Sequence, residues 1–128
     1  MRALLDTHTL LWWVTNDPQL SQPVREIITN SDNTLYLSVA SSWEIIIKYN
    51  AGKLPLPEPA PQFIESSLKV NGFESLSIEL HHILQIHQLP NYHRDPFDRI
   101  LIAQSQVENL LFLTIDYQIK RYPVQTFW

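Results

Sequence analysis

Short apolar runs, each ending at or beside a polar residue and alternating with segments of helical spacing, constrain this chain more than any other feature. "RALLD", "TLYLS", "FESLSI" and "LLFLTID" read as strands, the first ending at Asp6 and the last at Asp116, and "VQTFW" reads as a final edge strand. Between them, "THTLLWWVTN", "SQPVREIITNS", "SVASSWEIIIKYNAGK", "QFIESSLKVNG" and "IELHHILQIHQL" space their apolar residues as helices do. Pro23 suits a first helical turn, and Gly52 is placed to end the helix before it. Strands alternating with helices predict βαβ units, a parallel sheet and helices on both of its faces. "LPLPEPAP" is extended by its prolines and, in a chain of 128 residues, is an internal loop of one domain spanning 1–128. No internal repeat is visible.

The segment "HRDPFDRILIAQ" places two aspartates around Pro96 and Phe97 ahead of an apolar run. Proline is well tolerated at the first helical position, where its missing N–H would have had no partner. Asp95 is then the N-cap, its carboxylate taking a backbone N–H. Asp98 falls third in the helix, where the dipole tolerates a negative charge without requiring one. Capping thus accounts for Asp95 but not for Asp98.

Four acids occupy special places in this outline, although only 17% of the residues are charged. Asp6 ends the first strand, Asp116 ends "LLFLTID", Asp98 opens one helix, and Glu44 lies near the start of another. In a parallel α/β sheet the strand C-termini and helix N-termini gather at one edge, and ligands bind in the crevice outside it. Two carboxylates 4 Å apart repel by roughly 4 kcal/mol at an effective dielectric near 20. Such a cluster needs protons, Lys or Arg, or a cation to neutralise it. The chain has no cysteine, and oxygen ligands favour a hard cation, Mg²⁺ or Mn²⁺. A cation so held binds phosphate oxygens and activates water, which suits phosphodiester chemistry. Each acid also has a plain structural explanation. Glu44 and Lys48 form an i,i+4 ion pair, Asp116 opens the turn "DYQIK", and Asp6 caps the helix beginning "THTLL". Their joint placement at one sheet edge is what points to a site.

Formal charge is −4 and the pI near 5.6, so the chain has no general basic footprint for nucleic acid. A phosphate-bearing substrate must be attracted locally, and Lys48, Lys53, Arg94 and Arg99 are the candidates for backbone phosphate contacts. No segment approaches the apolar length of a membrane span, and the run in "MRALLDTH" is too short for a signal peptide. The expected location is the cytoplasm.

The ordered strings "LLDTHTLLW", "LSVASSWEIIIKYNAGKL", "HRDPFDRILIAQ" and "LLFLTID" resemble the PIN-domain ribonucleases, specifically the VapC-type toxins of type II toxin–antitoxin pairs. The resemblance covers nearly the whole chain. It implies a three-layer α/β/α sandwich with a small, mainly parallel sheet. It also implies a metal-dependent endoribonuclease, with Asp6, Glu44, Asp98 and Asp116 binding one or two Mg²⁺ or Mn²⁺ ions. Thr7 matches the hydroxyl residue following the first aspartate, and Thr114 the small hydroxyl residue before the last acid. Asp116 is the weakest of the four, because the last acid is less strictly required in many members. The implied reaction is water attack on an RNA phosphodiester, leaving a 3′-hydroxyl and a 5′-phosphate. The implied partners are a cognate antitoxin protein and a second copy of the chain.

Other features favour blander readings. His81, His82, His87 and His93 have no i,i+4 pair among them, and "HHILQIH" reads as a helix with surface imidazoles rather than a zinc site. The four tryptophans read as mostly core, except that Trp12 and Trp13 cannot face one direction, so one is expected at the surface. "YNAGKLPLPEP" could line an antitoxin or dimer groove, or be an ordinary stiff loop. A haloacid-dehalogenase-like phosphoryl-transfer enzyme wants a second aspartate two residues after Asp6, where this chain has His8. A receiver domain wants paired acids at the same place and a lysine after a late strand; neither is present. A non-catalytic PIN-like domain that binds RNA or protein is the alternative from another class.

Overall fold

The computed structural model describes all residues, Met1–Trp128. Five strands, β1 (Arg2–Leu5), β2 (Thr34–Ser38), β3 (Glu74–Leu76), β4 (Leu111–Leu113) and β5 (Thr126–Phe127), form one sheet in the order β3-β2-β1-β4-β5. Every pairing is parallel. The sheet expected to be mainly parallel is wholly so. Seven helices flank it: α1 (Thr7–Val14), α2 (Gln22–Thr29), α3 (Val39–Asn50), α4 (Ala60–Asn71), α5 (Leu80–Ile86), α6 (Pro96–Glu108) and α7 (Tyr117–Lys120).

Strand pleating sends alternate side chains to opposite faces. Ala3, Leu5, Leu35, Leu37 and Leu113 meet Leu10 of α1, Val24 and Ile28 of α2, and Ile45 of α3 on one side. Leu4 and Phe112 point the other way, into Ile100, Leu101 and Ile102 of α6, with Ile119 and Tyr122. Two apolar cores on one sheet make the three-layer α/β/α sandwich. Each fully buried Leu or Ile contributes roughly 1.5–3 kcal/mol relative to exposure, so the central strands are fixed by both cores.

Helix ends follow the local chemistry. Asp95 caps α6, accepting the N–H groups of Phe97 and Asp98 at 2.9 and 3.1 Å. Such a cap is worth about 1 kcal/mol. Gly52 and Gly72 take φ +71° and +67° just past α3 and α4, the left-handed conformation that only glycine adopts without strain. The last inner strand is shorter than the sequence suggests. It stops at Leu113, because Thr114 and Asp116 use their polar groups at the sheet edge and Asp116 caps α7 through Gln118 N–H.

The chain runs outward from β1 through β2 to β3, then returns across the sheet to β4 and β5. Connections leaving β1 and β4 therefore diverge, and the C-terminal ends of these neighbours bound the crevice where parallel sheets bind ligands.

Candidate functional site

Asp6 follows β1 and caps α1. Its Oδ1 accepts the Thr7 N–H at 2.8 Å, and its Oδ2 accepts the Thr114 hydroxyl at 2.7 Å. The Thr114 oxygen also accepts the Asp116 N–H at 3.1 Å, so one hydroxyl ties together the ends of β1 and β4. The Thr7 hydroxyl lies 2.8 Å from Glu44 Oε1 and 2.9 Å from Ser41 Oγ. An ionised carboxylate can only accept, so Thr7 donates to Glu44 and receives the Ser41 proton. The other Glu44 oxygen is 2.6 Å from Lys48 Nζ. An unbroken run of hydrogen bonds thus links Glu44, Thr7, Asp6, Thr114 and Asp116.

Asp98 comes from the first turn of α6 and joins this group through its charge. Burial pushes its carboxyl up from 3.8 to about 7; the His93 hydrogen bond opposes the rise, and repulsion from Asp95, Asp6 and Asp116 adds to it. Asp6 is also shifted upward, chiefly by burial, against the hydrogen bond from Thr114, the charge of His8 and the hydrogen bond from Thr7, with Asp116 adding repulsion. Three aspartates therefore share one electrostatic field at the crevice, and two of them are held there as reluctant anions. A perturbed carboxylate cluster in a cleft is a feature of functional sites.

Among the four basic residues considered for phosphate, two are committed elsewhere. Lys48 is paired with Glu44, as the i,i+4 spacing allowed. Arg99 is half-buried, and its Nη1 donates to Pro90 O, His93 O and the Tyr122 hydroxyl at 2.8, 3.3 and 3.0 Å. That nitrogen holds the turn before α6. Arg94 is exposed, and exposed Lys53 lines a groove of about 430 Å³ shared with Thr7, His8, Trp12 and Lys48.

Other expectations also change. His82 is not a surface imidazole; it is 1% exposed. Its Nε2 lies 2.7 Å from Glu108 Oε2, and with His81 these side chains place metal-capable atoms within 4.8 Å of one another. However, His82 Nδ1 accepts the Glu79 N–H at 2.9 Å. The ring proton must then sit on Nε2, aimed at Glu108, which leaves that nitrogen no lone pair for a cation. The trio fastens α5 to α6. Trp43, read as core, is 59% exposed beside Phe97, whereas Trp12 and Trp13 are both half-buried.

Ser41 and Tyr122 escaped the sequence reading, and His93, weighed there only as a zinc ligand, proves to be a partner of Asp98. His93 Nε2 lies 2.9 Å from Asp98 Oδ2, and His93 Nδ1 lies 2.7 Å from the Tyr122 hydroxyl. The only sequence signal was a histidine five positions before Asp98, a spacing with no helical or strand meaning.

Comparison with known proteins agrees with this architecture. The chain is 40% identical over 58 residues to Ribonuclease VapC16 of Mycobacterium tuberculosis, a match covering 45% of this chain and 41% of that protein's length. Its fold superposes on a chain in the structure of VapBC2 from Rickettsia felis bound to a promoter DNA fragment, with TM-score 0.74, 16% identity and 99% and 98% of the two chains covered. A chain of DNA-bound VapBC from Salmonella typhimurium superposes with TM-score 0.72 and 19% identity, over 99% of this chain and 97% of that one. The PIN domain family model matches residues 3–125, a span that includes the five-stranded sheet's inner strands and all four acids at its edge, and the chain belongs to that family.

Proposed function

We propose that this chain, as one domain over 1–128, is an endoribonuclease dependent on Mg²⁺ or Mn²⁺ and the toxin of a toxin–antitoxin pair. The observation that carries the reading is the convergence of Asp6, Asp98 and Asp116 in one field at the edge of a PIN domain, with Glu44 hydrogen-bonded into the same group. Asp6, Glu44, Asp98 and Asp116 would hold the cation. The donor set fits one: all four are oxygen ligands, and burial and mutual repulsion make two of the anions costly unless positive charge joins them. Mg²⁺ usually takes one or two carboxylates and keeps several waters, so not all four need touch it directly.

A bound cation would supply charge to the transferring phosphate and acidify a water for attack, leaving 3′-hydroxyl and 5′-phosphate ends. The protein's own contribution is orientation. Thr7 and Thr114 fix the Asp6 carboxylate from both sides, and Lys48 offsets the charge of Glu44. Lys53 and Arg94 remain for RNA phosphates.

The same reading includes an antitoxin protein, a cytoplasmic setting and a homodimer. No helix is long and apolar enough to cross a membrane. For the homodimer, the face offered to a second copy is the apolar groove lined by Trp43, Ile83, Ile86 and Phe97. The test is cleavage of a labelled structured RNA with Mg²⁺, with Mn²⁺ and with EDTA, beside Asp98→Asn. Cutting that needs metal and disappears in the variant supports the nuclease. Metal binding without cutting of any RNA favours the non-catalytic binding domain, and cutting that survives EDTA refutes the proposal.

A further inference from the structure

The Tyr122 hydroxyl, contributed by the segment after α7, stands at the centre of a small, partly buried network. Three groups approach it: His93 N at 3.2 Å, His93 Nδ1 at 2.7 Å and Arg99 Nη1 at 3.0 Å. A phenol has one proton to give and two lone pairs to receive. The backbone N–H and the guanidinium N–H can only donate, so they fill both lone pairs. The phenolic proton is left for Nδ1, which must be the unprotonated ring nitrogen. The imidazole proton therefore sits on Nε2, 2.9 Å from Asp98 Oδ2.

Every link in this chain is itself restrained. Arg99 Nη1 has two protons for three acceptors: one goes to Pro90 O at 2.8 Å, and the other to the Tyr122 hydroxyl at 3.0 Å, shared with the more distant His93 O at 3.3 Å. Tyr122 is buried, and its ring packs edge-on against both His93 and Tyr92. Reversing the tautomer would turn an unprotonated nitrogen towards a carboxylate and a proton towards a hydroxyl that already receives two others. With Oδ2 held by His93, Asp98 is left with one carboxylate oxygen that takes no protein hydrogen bond.

We propose that Tyr122, braced by Arg99, is a positioning residue that locks His93 in its Nε2–H tautomer, and that this proton sets the orientation of the Asp98 carboxylate. Residues behind a ligand or catalytic carboxylate commonly set its direction in this way. The effect on cleavage rests on the nuclease reading; the tautomer does not.

The tautomer is read directly by long-range ¹H–¹⁵N correlation on the metal-free, ¹⁵N-histidine-labelled protein at pH 8. Expected is an Nε2–H pattern for His93 in the wild type, lost or reversed in Tyr122→Phe, which keeps the buried ring. On a cleavable RNA, Tyr122→Phe and His93→Ala should lower kcat by about 10- to 100-fold with KM little changed. His93→Gln, whose amide nitrogen reaches about as far as Nε2, should recover most of that loss. A wild-type Nδ1–H pattern, or an unchanged pattern in Tyr122→Phe, overturns the proposal, as does an altered pattern with full kcat. Absence of cleavage by the wild type would instead sink the nuclease reading, while the spectra still decide the tautomer.

Discussion

Replacing Asp98 by Asn should stabilise the metal-free protein near pH 8, because this acid is held where its charge is unwelcome. The native carboxyl titrates at about 7 rather than the ordinary 3.8. Its raised value means that its favourable contribution is complete below pH 3.8 and is lost as pH rises to about 7, since the native state retains the proton longer than the unfolded chain. At 1.36 kcal/mol per pH unit, the ceiling on that loss is about 4 kcal/mol. Water at the open crevice screens it, and about half is a realistic residue. Asn keeps an oxygen for the His93 Nε2–H but gives up the carboxylate's interaction with the α6 dipole, worth about 0.5 kcal/mol at this position. The net gain is therefore roughly 1.5 kcal/mol at pH 8, shrinking to nothing or reversing at pH 4. Urea unfolding of wild type and variant in EDTA at both pH values measures it through the midpoint at constant slope. An equal or lower midpoint for the variant at pH 8, or a gain that persists unchanged at pH 4, would refute the reasoning. Adding Mg²⁺ should then reverse the order, since a ligand of the native state stabilises only the chain that binds it.

Four further outcomes follow from the geometry. Thr114→Val removes the donor to Asp6 Oδ2 and the acceptor for Asp116 N–H, so it should destabilise the protein by about 1–3 kcal/mol in thermal or urea melts and lower cleavage. Arg94→Ala should reduce the slope of log affinity against log salt for RNA by about 1, measured by fluorescence anisotropy. Arg99→Ala should leave that slope unchanged and lower the melting temperature, because its guanidinium serves the turn before α6. If the proposed homodimer forms through the Trp43 groove, Trp43→Asp should lower the sedimentation coefficient relative to the wild type in analytical ultracentrifugation, with the melting temperature little changed; equal coefficients would refute that face.

The parts of this molecule legible in its sequence are those governed by local spacing. Asp95 and Pro96 specify a helix start through capping chemistry, and the structure forms it at that residue. The strands at residues 2–5 and 34–38 follow from short apolar runs, and the sheet edge collecting Asp6, Glu44, Asp98 and Asp116 follows from βαβ topology. What was hidden depends on contacts between distant segments. Tyr122 meets His93 across 29 positions, and nothing near either residue marks the pair. Arg99 looks like any surface cation until the turn at Pro90 folds over it. His82 reads as exposed because its burial depends on Glu108, 26 positions away on α6, although its other partner, the Glu79 N–H, is local. Trp43 shows the converse, an aromatic that no local rule sends to the surface.

The hydroxyl joining Asp6 to the start of the β4–α7 turn spans 108 positions in the chain. During synthesis, a growing polypeptide carries Asp6, Glu44 and then Asp98 before residue 114 exists, yet it lacks the neighbour that holds Asp6 in place. Contacts of such separation form late and in one cooperative step with the sheet. A fragment ending before residue 114 would therefore contain three of the acids but lack the hydroxyl that holds Asp6 Oδ2. Under the proposed activity, the cell making this protein is shielded from it until Thr114 and the strand before it have been made and folded onto β1.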